Sequence, residues 1–162
     1  GLGYPGGPAL SAKAKNGNPD KFSLPSPMLK RPGYDFSFSG LKTAVLYYVQ
    51  KHGRPRGRAL NDFCASAEKA ITDVLVAKTV RAAAAYQVKT ITLGGGVAAN
   101  RRLRADLTSA VAEQLPQVDL RITRPEYCMD NAVMIALVGY YGQPAKDGWK
   151  KITVDPNFEI SN

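Results

Sequence analysis

The run Val88-Lys89-Thr90-Ile91-Thr92-Leu93, followed at once by Gly94-Gly95-Gly96, restricts the fold more than any other part of the chain. β-Branched residues at that density favour a strand, and the three glycines end it. Leu103, Leu107, Ala110, Val111 and Leu115 then recur at helical spacing until Pro116 closes the helix. Val118-Asp119-Leu120-Arg121-Ile122 reads as a second short strand. Strand, glycine turn, helix and strand in that order predict an α/β layer architecture. In such folds strands seldom adjoin through hairpins, and ligands bind at the carboxyl ends of strands.

The flanking segments fit the same class. Leu60, Phe63, Ala67, Ala70, Ile71, Val74 and Ala77 share one helical face, which predicts a long helix persisting through Ala82 to Ala85. An earlier helix, with Ser39 as its N-cap, carries Leu41, Val45, Tyr48 and Val49 up to Gly53. Before it, Asp35-Phe36-Ser37-Phe38-Ser39 alternates polar and aromatic side chains as a half-buried strand does. Residues 1–33 are a loop-rich lead-in with room for a short helix between Pro8 and Lys15, and a last helix is expected from Asp130 to Tyr141. Residues 142–162 read as an irregular tail in which Trp149, Ile152 and Phe158 need something to pack on.

Charge narrows the class of partner. Lys and Arg number 22 against 13 Asp and Glu, a net charge of +9 that attracts polyanions or acidic lipid. Lys51, Arg54, Arg56 and Arg58 form one cluster, and Arg101, Arg102 and Arg104 another. Clusters of this size are either solvated faces or phosphate contacts. A length of 162 residues suits one domain. No apolar run approaches the roughly 20 residues of a membrane span, and no charged-then-apolar signal opens the chain. Cys64 and Cys128 lack metal or redox spacing and are expected to be buried small hydrophobes, in keeping with a soluble protein of the reducing cytoplasm. The first residue is Gly and the opening Gly-Leu-Gly-Tyr-Pro-Gly-Gly-Pro reads as mid-chain turn chemistry, so a fragment is expected.

Two local patterns can carry chemistry. Gly94-Gly95-Gly96-Val97-Ala98-Ala99-Asn100 is either a tight turn capped by Asn100 or a place where backbone N–H groups and a helix end approach a nucleotide. It is neither a P-loop nor the dinucleotide G-x-G-x-x-G. Asp130 is either the cap of the apolar helix that follows or a carboxylate ligand for a cation. His52 is the only histidine and sits in a basic connector, where it reads as a solvated loop residue. That leaves no zinc-protease motif and no Ser-His-Asp set.

Tyr4-Pro5-Gly6-Gly7-Pro8, Asp35-Phe36-Ser37-Phe38-Ser39-Gly40-Leu41-Lys42-Thr43, Gly95-Gly96-Val97-Ala98-Ala99-Asn100 with Leu103-Arg104, and Arg124-Pro125-Glu126-Tyr127-Cys128 with Asp130-Asn131 and Met134-Ile135-Ala136 occur in one order. Together they resemble the C-terminal half of the bacterial TsaD family, the Kae/Qri group of tRNA threonylcarbamoyladenosine synthases. The resemblance covers nearly the whole chain. It implies an actin-like ATPase fold of the sugar-kinase, ribonuclease H-like kind, in which residues 34–141 form the C-terminal lobe and the N-terminal lobe is absent.

The same resemblance implies transfer of a threonylcarbamoyl group from threonylcarbamoyl-adenylate to N6 of the adenosine 3′ of the anticodon, in tRNAs that read codons beginning with A. Gly7 matches a substrate-contacting glycine, Asn100 the asparagine of a nucleotide motif, and Gly95 and Gly96 the lining of an adenosine pocket. Asp130 matches the aspartate that completes a site for one divalent ion, iron or zinc. Implied partners are tRNA, an inactive paralogue and a small P-loop ATPase. The family's His-x-Glu-x-His and Ser-Gly-Gly-His-Thr motifs and a further substrate-binding aspartate have no counterpart here, and His52 matches none of them. The chain alone is therefore expected neither to hold the metal tightly nor to transfer the group. The alternative is a non-catalytic nucleotide-binding module that docks a paralogous partner.

Overall fold

The long apolar stripe becomes one continuous helix, and the other elements of its unit gather along it. In chain order the elements are α1 (Gly6–Ala14), α2 (Ser39–His52), α3 (Gly57–Ala85), β1 (Thr90–Leu93), α4 (Arg101–Gln114), β2 (Asp119–Ile122) and α5 (Ala132–Tyr141). Single-turn helices at Gly96–Ala99 and Pro125–Tyr127 follow the two strands. The computed structural model describes residues 2–142. They fall into two units, one running to Cys128 and the other starting at Met129. Trp149, Ile152 and Phe158 lie outside the described residues.

β1 and β2 pair in parallel, with Thr90 opposite Asp119 and Leu93 opposite Ile122, and α4 makes the crossover between them. Two four-residue strands cannot bury a face by themselves. The core is completed by helices: Val80 and Ala83 of α3, Ile91 of β1, Leu107, Val111 and Leu115 of α4, and Val118 make one buried cluster. A second cluster joins Ala14 of α1 to Cys64 and Ala65 of α3, with Leu10 and Leu60 packed against it. Aromatic rings fasten α2 and the lead-in: Phe22 and Tyr48 lie 5.2 Å and 4.8 Å from Phe63, ring centre to ring centre. Tyr48 thus packs inside, whereas Tyr47 is 63% exposed.

A buried cation makes a further attachment. Lys78 is 1% exposed and donates from Nζ to the carbonyls of Arg31 at 3.2 Å and Gly33 at 3.0 Å. Arg81, a turn later, donates to the carbonyls of Arg31 and Leu29. The loop before α2 is therefore tied to α3 through main-chain oxygens that would otherwise need water.

The structure alters two expectations. Residues 35–38 are irregular, not a strand, because no neighbour among the described residues offers them a ladder. The period-two alternation there stacks Phe36 and Phe38 on one side, their ring centres 6.5 Å apart. Ser39 is the first residue of α2, Phe38 occupies the cap position, and no side chain caps that helix.

Leu107, 2% exposed, joins α4 to both β1 and α3 through the main cluster. Leu107→Ala is expected to lower unfolding free energy by about 3 kcal/mol in a denaturant titration, the size of a buried Leu truncation.

Candidate functional site

The glycine turn after β1 is built for backbone exposure. Gly95 has φ 84° and ψ 172°, a conformation open essentially to glycine alone. A Cβ on Gly94 would come within 3.3 Å of Thr123 Oγ1, so the turn also runs close to the segment leaving β2. Asn100 ends the turn and caps α4, its Oδ1 accepting from the Leu103 N–H at 2.8 Å. Arg104 ties the pieces together, donating from Nε to the Ala98 carbonyl and from Nη2 to the Thr123 carbonyl at 2.6 Å. The turns after both strands are thereby held at the carboxyl edge of the sheet, where ligands of α/β folds bind.

The start of α1 has the complementary property. Gly6 and Gly7 open that helix, are exposed, and have nothing within 4 Å of where a Cβ would stand. No side chain caps the helix, so its first N–H groups are left for solvent or a ligand. Ser11 lies four residues beyond Gly7, on the same helical face. Its Oγ donates to Glu68 Oε1 of α3 at 2.6 Å and accepts from Asn100 Nδ2 at 2.9 Å. Asn100 Nδ2 also donates to Glu68 Oε1 at 2.6 Å. The α1 glycines, α3 and the glycine turn are therefore joined through three side chains.

The two basic clusters differ. Arg102 pairs with Asp106 at 3.1 Å, and Arg104 is committed to the carbonyls above, which leaves Arg101 as the freely exposed member of that group. Lys51, Arg54, Arg56 and Arg58 are all exposed, and none takes part in an ion pair among the described residues. His52 is exposed at the end of α2 with its ring 4.8 Å from that of Tyr48.

Asp130 belongs to the second unit and is exposed. It is not the cap of α5: Asn131 holds that position and accepts the Met134 N–H at 3.2 Å. The carboxylate is thus spared a capping role. A resident zinc or iron ion needs several donors, and no group of three His, Cys, Asp or Glu able to hold a metal occurs among the described residues. The described residues do not by themselves fit such an ion. Both cysteines are buried and unpaired. Burial pushes the Cys64 thiol above its ordinary range, Lys13 lowers it and Glu68 raises it again, so Cys64 stays protonated and unreactive at neutral pH.

Residues 1–137 match the family model described as TsaD, tRNA N6-adenosine threonylcarbamoyltransferase. The chain belongs to the TsaD family. A Geobacter sulfurreducens protein named tRNA N6-adenosine threonylcarbamoyltransferase is 48% identical over 141 residues, 87% of this chain and 41% of that protein. A protein of the same name from Anaeromyxobacter dehalogenans is 49% identical over 139 residues, 86% of this chain and 41% of its own length. One from Thermotoga neapolitana is 42% identical over 165 residues, 99% of this chain and 48% of its own length. The chain thus spans less than half the length of these TsaD relatives.

Of the residues singled out in the sequence, the structure links Gly95, Gly96 and Asn100 to the helix that begins at Gly7. Asp130 lies in the other unit. Ser11 and Glu68 escaped sequence reasoning because a polar residue on a short helix and a Glu within a long one both look like solvated positions.

Gly95→Ala is expected to cost about 2 kcal/mol through its backbone conformation alone. Gly7→Ala, with open space around it, is expected to cost less than about 1 kcal/mol. Thermal unfolding of the two variants checks the difference.

Proposed function

We propose that this chain is the nucleotide-facing C-terminal part of an enzyme that forms threonylcarbamoyladenosine in tRNA, within an actin-like, two-lobed architecture. The reading is carried by one observation: the uncapped glycine end of α1 and the glycine turn after β1 are coupled through Ser11, Glu68 and Asn100. In the reaction, N6 of adenosine attacks the carbamoyl carbon of threonylcarbamoyl-adenylate. A C–N bond forms, the bond from that carbon to the phosphate oxygen breaks, AMP leaves, and N6 loses a proton.

On this reading the free N–H groups at Gly6 and Gly7 meet the substrate, and Gly95 and Gly96 let the adenosine lie close to the main chain. Asn100 contributes by fixing the turn. Asp130 is one ligand of a divalent ion, iron or zinc, whose other ligands come from a longer form of the protein; such an ion polarises a carbonyl or holds phosphate when bound. The inactive paralogue and the small P-loop ATPase are its protein partners, and the cytoplasm its location. No helix among the described residues is long and apolar enough to cross a membrane.

The connector between α2 and α3 supplies the exposed cations for tRNA phosphates, since two of the three arginines at the start of α4 are spent inside the protein. A second reading, a nucleotide-binding module without catalysis, is supported by the lack of a three-ligand group among the described residues.

The test uses the full-length gene product with threonylcarbamoyl-adenylate and tRNA. The proposal predicts modified adenosine 3′ of the anticodon from the full-length protein and none from residues 1–162 alone. Adenylate binding without transfer by the full-length protein supports the second reading, and turnover by the 162-residue chain overturns the division of labour. Neutralising Arg54, Arg56 and Arg58 together is expected to reduce the slope of log affinity for tRNA against log salt by about 2, from roughly 0.7–0.9 for each phosphate released. Arg102→Gln should leave that slope unchanged.

A further inference from the structure

Three elements widely separated in the chain converge on a single oxygen. Glu68, partly buried on α3, accepts at Oε1 from Ser11 of α1, 57 positions away, and from Asn100, 32 positions away. The third side of the triangle is the bond from Asn100 Nδ2 to Ser11 Oγ. Asn100 has no freedom to choose another arrangement. Its Oδ1 must accept from Leu103 N to cap α4, which leaves Nδ2 to supply donors, and both partners of Nδ2 are acceptors in the required places. Ser11 in turn uses its only hydrogen on Glu68. Each group has one role compatible with the others, so the carboxylate settles the orientation of all three.

This junction sits beneath the two backbone surfaces assigned to the ligand, not within them. Ser11 is one turn below Gly7 on α1, and Asn100 closes the turn that begins at Gly95 and Gly96. A backbone donor is useful only at a fixed distance from its acceptor, and neither a helix of nine residues nor a four-residue turn can hold that distance to the other unaided. We propose that Glu68 is a positioning residue that locks the Gly6–Gly7 end of α1 to the Gly95–Asn100 turn, so that one adenylate ligand can engage both. The inference rests on the nucleotide reading of these glycines given above, and assigns to α3 a part in it.

Because both donors meet at Oε1, an amide oxygen can replace the carboxylate there, whereas a methyl group cannot. In the full-length gene product, Glu68→Gln is expected to bind AMP within about threefold of the unaltered protein. Glu68→Ala is expected to bind it at least about tenfold more weakly, with KM for threonylcarbamoyl-adenylate raised by a similar factor and kcat changed less. Ser11→Ala should weaken binding by a smaller factor, and Ser11→Ala added to Glu68→Ala should cost nothing more, since the shared bond is already gone. Circular dichroism and thermal unfolding establish that each variant is folded. If Glu68→Ala does not fold, the Ser11→Ala and Glu68→Gln pair carries the same comparison.

A purely architectural glutamate would lower the melting temperature and leave AMP affinity of the folded protein unchanged, which overturns the inference. So does a Glu68→Gln variant as weak as Glu68→Ala. If the unaltered full-length protein binds no AMP, the nucleotide reading itself fails and the positioning role falls with it.

Discussion

A two-stranded parallel sheet has no stability of its own, and in the larger unit of this chain everything hangs on how α3 compensates for that. The C-terminal half of α3 gives Val80 and Ala83 to the core that the sheet shares with α4. Its middle gives Cys64 and Ala65 to the seam with α1, and Phe63 to the aromatic cluster with α2 and the lead-in. Lys78 and Arg81 hold the loop at residues 29–33 by its carbonyl oxygens. One helix thus bears the hydrophobic burial that dominates stability and the polar attachments that decide which loop lies where.

The functional surface follows from that arrangement. Gly6, Gly7, Gly95 and Gly96 offer main chain, which is chemically generic, and its selectivity depends on placement. Placement is supplied from behind by side chains that offer nothing to a ligand: Asn100 has both ends of its amide occupied, and Arg104 is spent on two carbonyls. The exposed charge lies elsewhere, on the connector from Lys51 to Arg58. Division between a neutral backbone surface for a small ligand and a separate cationic surface for a long polyanion is what a reaction joining an adenylate to a tRNA requires.

Elements set by periodicity were legible in the sequence. The stripe from Leu60 to Ala77 became α3, the two β-branched runs became paired strands, and Asn100 caps α4 as its position before an amphipathic run suggested. The failures share a cause. The alternation at Asp35–Ser39 is a local pattern, whereas a strand is a relation between two segments, and no second segment is there among the described residues. Asp130 and Asn131 are equally good caps on local grounds, and one residue of shift in where α5 begins gave the position to Asn131. Lys78 and Glu68 look like ordinary solvated charges within a helix, because their partners lie 32 to 57 positions away. Membership of the TsaD family was legible because it is carried by four short motifs in order, while the contact that joins two of them belongs to none.

The central claim is that the α1 glycines and the turn after β1 act as one nucleotide-binding surface. Hydrogen–deuterium exchange of the full-length protein with and without saturating AMP tests it directly. The account predicts that AMP slows exchange in the peptides covering residues 5–14 and 94–104 together, at the same nucleotide concentration. Protection of only one of these segments, or of neither while AMP is bound, would contradict it.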